Sequence, residues 1–530
     1  MLESPRMPPV PLPRHSPGPL CICLALITAA SLHGAAAMEP VWEGYGGDAQ
    51  HSAISSVASQ PLSAILWQTP VDLAPQYSDG NLYIHYGSAL ITAANTVLVP
   101  VKTGASGGFR IDAHNGGDGS LLWSQPTDYI LPIPAASWVP SYSPVLSAAN
   151  RLYYPGAGGT IYYRDTPDSA APAASGQLAF YDIGNYTANK AAFDKNVFIN
   201  TPITSESAGN IYFGYQVDKS TSQTLNLHGG IAKISADGVG TWMEAGALAA
   251  GMTKVAQNSA PAVSADGSKV YVALNDGYNG RLVELNASNL SLVSKSAPLN
   301  AVIDVSSASP TIGPDGDIYF GTNDGYNGGG TMNHFSADLL QIKTPGSFGW
   351  DDTASIVPAL MVAAYQGTSS YLLMVKYNNY AGRGGDGVNK LAILDPLNLT
   401  QIDPVTGLVV MKEVLSIAGV TRDDEYPGAP DAVREWCINT AAVDPFTNSV
   451  LVNNEDGKLY RWDLASNSFT ESITLTSDLG EAYTPTVIGA DGKVYAINNA
   501  TLFAVGVPEP GSLTLVFAGA LTFLGGSRRR

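Results

Sequence analysis

Apolar and polar residues do not alternate cleanly along most of this chain. Short apolar runs rich in β-branched and aromatic residues are separated by Gly, Asp, Asn and Pro. In residues 317–322 (DIYFGT), an extended backbone puts Ile318 and Phe320 on one side and Tyr319 and Gly321 on the other. In residues 269–274 (KVYVAL), Val270 and Val272 likewise oppose Tyr271 and Ala273. Both faces are apolar, and one is often small. A strand with one wet face would alternate, so these strands are expected to lie sandwiched between two other sheets. Their length, composition and bounding turn residues favour strands over buried helical segments.

The runs come in pairs. Residues 309–325 read SPTIGPDGDIYFGTNDG, two apolar runs hinged at Pro314-Asp315-Gly316. Asp-Gly between apolar runs is a strong hairpin signal, because both turn positions tolerate positive φ. Eight such units begin at Ser88, Tyr142, Thr201, Ser259, Ser309, Ile356, Asn439 and Tyr483, at intervals of 44 to 59 residues with one step of 83 after Ile356. A repeat of this length built from short strands predicts an all-β protein, a β-propeller. Eight four-stranded blades are expected, with seven as the alternative if the long step holds an insertion or part of a blade. The last unit ends at Val505 without a fourth strand, and residues 65–71 form an isolated strand near the N-terminus. That strand is expected to complete the last blade and close the ring, which removes free sheet edges.

Composition agrees: 55 Gly, 35 Pro and 26 Tyr, with only 14% charged residues. The net charge is −18. Such a surface repels nucleic acid and anionic membrane and suits cations, basic partners or plain solubility.

Both ends are expected to be targeting segments. Arg6 and Arg14 precede an apolar run at residues 20–32 and then Ala35-Ala36-Ala37, so residues 1–37 read as a signal peptide. Cys21 and Cys23 leave with it. Cys437 then remains alone, which excludes an intrachain disulfide. Residues 507–530 hold Pro508-Glu509-Pro510, an apolar run from Leu513 to Leu524 and Arg528-Arg529-Arg530. This arrangement resembles the PEP-CTERM sorting signal of Gram-negative bacteria, although an ordinary membrane anchor would carry the same run and arginines. The resemblance implies an exosortase-like processing enzyme, transient membrane contact through the tail, and a destination at the cell surface or in extracellular matrix. Exopolysaccharide or a surface protein is the implied partner.

Residues 38–506 are the expected propeller. Their opening, Trp42 to His51 (WEGYGGDAQH), resembles the first segment of quinoprotein-type propellers. Residues 111–123 (IDAHNGGDGSLLW) and, more loosely, 459–469 (LYRWDLASNSF) resemble repeat endings of the pyrroloquinoline-quinone-like family. That resemblance implies the quinone and Ca²⁺ on the propeller axis and, in many members, a disulfide between adjacent cysteines over the cofactor. This sequence has no adjacent cysteines, and no stretch matches the family's Ca²⁺ ligands or catalytic Asp. Trp123, Trp138, Trp242, Trp350, Trp436 and Trp462 could floor a cofactor or pack between blades. His51, His85, His114, His228 and His334 are scattered rather than set at metal spacing. No nucleophile elbow, phosphate loop, HExxH or dinucleotide fingerprint occurs. The expectation is a non-catalytic binding or scaffolding protein with no catalytic residue assigned. The alternative is a pyrroloquinoline-quinone-dependent dehydrogenase of alcohols or sugars.

One loop is duplicated. Asn275-Asp276-Gly277-Tyr278-Asn279-Gly280 recurs as Asn323-Asp324-Gly325-Tyr326-Asn327-Gly328. Hard oxygen donors at Asn275, Asp276, Asn279, Asn323, Asp324 and Asn327 suit Ca²⁺, the one cofactor candidate outside the dehydrogenase reading. The plainer reading is hairpin chemistry. Asn378-Asn379-Tyr380 is a looser relative, and Asp423-Asp424-Glu425-Tyr426 is a further acidic loop.

Overall fold

The computed structural model describes residues 39–509 apart from 79–80, 83, 134–139, 219–224, 325–327, 405 and 478–484. Residues 1–38, Pro510 and the C-terminal apolar run with its arginines lie outside the described residues, as do Trp138 and Asn327. Pro508 and Glu509 follow the last strand without regular structure. Among the described residues, no helix is long and apolar enough to cross a membrane.

Eight antiparallel sheets form the blades of one ring. Blade 1 runs Leu90–Ile91, Thr96–Gly104, Gly107–Asn115 and Leu121–Thr127, each strand paired with the next. Blades 2 to 7 repeat this meander, with the first position of blades 3 and 4 split into two short strands and with larger irregularities in blades 5 and 6. Blade 5 has three full strands, Thr311–Ile312, Ile318–Thr322 and Thr331–Phe335. Its fourth position holds residues 342–346, which make only two isolated bridges, to Phe335 and Met332. Pro345 in that stretch has no N–H for a ladder. In blade 6, a short hairpin of Gln401–Ile402 and Val409–Val410 is inserted between Lys390–Asp395 and Lys412–Ala418. The long step in the repeat is therefore an insertion plus a long connection, and the blade count is eight.

Blade 8 joins the two ends of the chain. Val487–Ile488, Val494–Asn498 and Thr501–Gly506 are completed by Ala64–Pro70, which pairs with Thr501–Gly506 from Ala64↔Gly506 to Pro70↔Thr501. The expected closing strand is there.

Sandwiching explains the sequence pattern. Ile211–Val217 and Ile318–Thr322, both second strands, are buried at every position, whereas the outer strands Leu121–Thr127 and Ser468–Thr474 alternate with exposure. Each fully buried Val, Leu or Ile contributes about 1.5–3 kcal/mol. The small residue on one face has a steric reason. A Cβ on Gly321 would lie 2.2 Å from the Gly349 carbonyl and 2.6 Å from that of Asp352, so the chain leading into blade 6 passes only where there is no side chain.

The inner strands keep one unpaired edge toward the axis, and residues 41–60 cover it. This segment passes the blades in chain order. Val41 N–H bonds Ile91 O, and the carbonyls of Glu43, Ala49, Gln50, Ser52 and Ala53 accept from Leu146, Val263, Ile312, Ile356 and Val443. Gln60 N–H then reaches Gly492 O. Gly46, Gly47, His51 and Ala53 adopt positive φ, which bends the segment round a circle this tight. It acts as an internal strap satisfying backbone groups that would otherwise be buried without partners.

Candidate functional site

At the start of each inner strand the blades are tied to one another. Ser309 Oγ accepts from Ala260 N–H at 2.9 Å, Thr353 Oγ1 from Ser309 N–H at 3.0 Å, and Ser355 Oγ from Ala441 N–H at 3.1 Å. These hydroxyls are engaged in joining blades 4, 5, 6 and 7.

One step further toward the axis lies a buried charged cluster. His85 leads into blade 1 and Asp351 into blade 6, blades that are not neighbours. Their side chains nevertheless meet, Nε2 to Oδ2 at 3.4 Å, with 2% and 3% exposure. The pair thus spans the axis. Asp351 Oδ1 accepts from Ser307 N–H and Oγ–H, each at 2.7 Å. From the strap, Tyr45 donates its hydroxyl to Ser307 O at 3.0 Å and lies 2.8 Å from Thr353 Oγ1. Lys376, on Tyr371–Tyr377 and 1% exposed, supplies the positive charge felt by both Asp351 and Asp352.

Neighbouring carboxyls are driven apart here. Burial alone would raise Asp351, but the neighbouring His85 ring, the charge of Lys376 and the Ser307 hydrogen bonds outweigh it and hold the group below the usual range. At Asp352 burial dominates, Lys376 offsets it only in part, and the carboxyl is pushed well above that range. Asp352 Oδ2 has no hydrogen-bond partner among the described residues. Burial lowers His85 to about 4, and His51 in the strap, bonded through Nδ1 to Pro310 O at 2.7 Å, also to about 4. Both rings are neutral at pH 7.

A quinone and a cation do not fit this packing. A flat multi-ring ligand would have to part His85 from Asp351 and Tyr45 from Ser307 and Thr353. A cation beside Asp351 and Asp352 would meet Lys376, which already compensates their charge. A second cluster, Glu435, Cys437 and Glu455, brings one donor atom from each residue within 4.8 Å of the others. It is tied up internally: Cys437 Sγ lies 3.6 Å from Glu455 Oε2, and Glu455 Oε1 accepts from Glu435 N–H at 3.0 Å.

Off the axis, a cavity of about 690 Å³ opens between blades 3 and 4, on the rim that carries the turns after the second strands. Lys254 crosses its floor, bonding Gln216 Oε1 at 3.1 Å and Asp304 Oδ2 at 2.6 Å. His228 Nδ1 lies 3.1 Å from Glu244 Oε1 at its edge. Asp276 and Gly277, from the first copy of the duplicated loop, form part of the wall.

The two loop copies have different roles despite identical sequence. In the first, Asn275 is buried and donates to Val302 O and Asp304 Oδ1, both at 2.9 Å, which ties blade 4 to the approach to blade 5. Asp276 Oδ1 accepts from the N–H groups of Tyr278 and Asn279 and shapes the turn. In the second copy Asp324 accepts from the Thr322 hydroxyl instead, and burial raises its carboxyl. Asn323 stands beside Asp324 at the close of its strand. The Asp423 loop is ion-paired: Arg434 reaches Asp423 at 3.0 Å and Glu425 at 2.9 Å. Tryptophans pack blades. Trp123 lies under Arg164 at 4.3 Å and donates to Pro167 O at 2.7 Å, while Trp436 sits against Tyr460 and Phe469.

Sequence reading missed the axial cluster and most of the cavity wall. One signal was available: Lys376 interrupts the apolar run YLLMVKY, and a lysine in a fully sandwiched strand needs a buried partner.

No protein-family model and no curated protein matches the sequence. Solved structures do resemble the fold. A europium-containing methanol dehydrogenase aligns at TM-score 0.52 and 9% identity, covering 86% of this chain and 89% of its own. A quinohemoprotein alcohol dehydrogenase from Comamonas testosteroni aligns at 0.53 and 10%, covering 89% and 82%. Quinohemoprotein alcohol dehydrogenase ADHIIG from Pseudomonas putida gives 0.51 and 10%, covering 88% and 76%. At these identities the likeness is one of fold, and the fold of this chain is a quinoprotein-type β-propeller.

Proposed function

We propose that this protein is exported, sorted at Pro508-Glu509-Pro510 by an exosortase-like enzyme, and acts at the cell surface or in extracellular matrix as a non-catalytic binding or scaffolding propeller. Exopolysaccharide or a surface protein is its partner. The observation that carries this reading is the contrast between an axis filled by the strap and the His85–Asp351 pair and a ligand-sized cavity open on the rim. Pockets of a few hundred Å³ with mixed lining are the usual form of a binding site. The test is retention of the purified protein on cell-surface polysaccharide and on cells, alongside dye-linked oxidation of alcohols and sugars with added pyrroloquinoline quinone and Ca²⁺. Retention without turnover is the expected result, and quinone-dependent turnover overturns it.

The dehydrogenase reading has one observation in its favour. Asp351 and Asp352 titrate in opposite directions beside Lys376, and paired carboxyls pushed apart by their surroundings are a common acid–base arrangement. It requires the axis to open.

A further inference from the structure

We propose that the cavity between blades 3 and 4 binds an organic ammonium ion with an apolar body, such as an amino sugar within a polysaccharide or a linear polyamine. The proposal names the ligand for the binding reading above and rests on it.

The wall is chemically two-sided. Among the described lining residues, Asp218, Glu244, Asp276 and Asp304 contribute four carboxylates, against one lysine, Lys254. Counted over these carboxylates and Lys254 alone, the charge is −3. Lys254 is held at the floor by Asp304 and Gln216, so its charge is already directed inward. The potential a ligand meets is therefore set by carboxylates, and within a concave, partly apolar wall such a field is focused rather than screened. Apart from the polar Gln216, His228 and Thr253, the remainder of the described wall is apolar or side-chain-free: Ile133, Val217, Met252, Ala247 and glycines. Anions are repelled, and small hydrated metal ions have no use for the apolar part. A ligand whose cationic nitrogen sits on a carbon framework satisfies both halves.

Size agrees. A volume of about 690 Å³ lies well inside the range of pockets that bury drug-sized ligands, and exceeds what a lone ammonium or a single metal ion would fill. Tyr278, exposed beside Asp276 on the same turn, offers a ring to a cation or a sugar face at the mouth.

The experiment is titration calorimetry of the full chain with three probes: a glucosamine trimer, its N-acetylated counterpart, and spermidine. The glucosamine trimer or spermidine is expected to bind saturably, and the acetylated trimer, which keeps the sugar backbone but carries no ammonium, at least tenfold more weakly. Preference for the glucosamine trimer over spermidine identifies a polysaccharide source, and the reverse a polyamine. The triple variant Asp218→Asn, Glu244→Gln and Asp276→Asn keeps side-chain shape and is expected to lose at least tenfold in affinity with an unchanged melting midpoint. Raising salt is expected to weaken binding to the parent and not to the variant. Equal binding of the acetylated and free trimers, full affinity in the triple variant, or no binding of any probe overturns the proposal. Surface retention measured on cells is a separate readout, so failure here does not stand in for failure of the binding reading.

Discussion

The axis and the blade 3–4 cavity are both built from loops at one rim of the same ring, yet they treat charge in opposite ways. On the axis charge is buried and compensated: Lys376 offsets Asp351, whose carboxyl is held low, while burial pushes Asp352 up and keeps His85 neutral. In the cavity carboxylates outnumber lysines among the described lining residues, and they line a space open to solvent. Buried, matched charge makes a rigid joint whose loss is expensive, because a surviving partner is left in low dielectric. Charge that lines an open cavity adds little to stability and is available to a ligand. The difference separates residues that hold the ring together from residues that can recognise something.

The largest expected effect lies on the axis. Lys376→Met should destabilise the protein by about 3–5 kcal/mol, the usual result of removing one member of a buried pair, read as a fall in the urea midpoint. Next comes pH. His51 and His85 are lowered from 6.5 to about 4 by burial. The unfolded chain therefore takes up protons first as pH falls. Their stabilisation is complete above pH 6.5 and is lost on going down to about 4, by roughly 3 kcal/mol each at a cost of 1.36 kcal/mol per pH unit. Urea midpoints measured from pH 7 to 4 should fall accordingly, and His85→Gln should flatten part of the slope.

Adjacent carboxyls sharpen the comparison within the axis itself. Asp351→Asn should cost about 1–3 kcal/mol, because a charge favoured by its surroundings is removed, whereas Asp352→Asn should be neutral or mildly stabilising at pH 7. Equal costs for the two would contradict the opposite titration of these groups. Glu43, in the strap, is raised to about 7 by burial and by the charges of Asp48 and Glu39. Its folded form holds a proton that the unfolded form has released, so stability is lost as pH rises from about 4.5 to 7, and Glu43→Gln should remove that loss. The smallest effect belongs to the cavity. Asp276→Asn preserves the turn and should change stability by no more than about 0.5 kcal/mol, while weakening binding of an ammonium ligand.

What the sequence made legible was local. Pro314-Asp315-Gly316 specifies a turn, Ile318 to Thr322 specifies a strand buried on both faces, and eight such units specify a ring. The unpartnered strand near Ile65 also matched a last blade that was one strand short. Residues 275–280 were legible as a hairpin because Asp276 completes its turn with neighbours in the chain. The axis was not legible, since His85 and Asp351 meet only because the ring brings distant lead-in segments to one centre, and no local pattern encodes that closure. The strap at residues 41–60 was hidden for a related reason: its hydrogen bonds are made by backbone groups, which carry no residue signature. The identical hexapeptides mislead for the same cause, since Asp276 faces a cavity and Asp324 is half-buried by contacts that lie outside the repeated sequence.

The axis of the ring is closed by packed side chains, and the open cavity lies off it. Equilibrium dialysis of the full chain against pyrroloquinoline quinone with Ca²⁺, followed by a thermal melt of the dialysed protein, tests this most directly. The predicted result is no retained quinone and an unshifted midpoint, since a ligand that bound the folded state would raise it. Stoichiometric retention of quinone with a raised midpoint, abolished by Asp351→Asn, would contradict the account and place the chemistry on the axis.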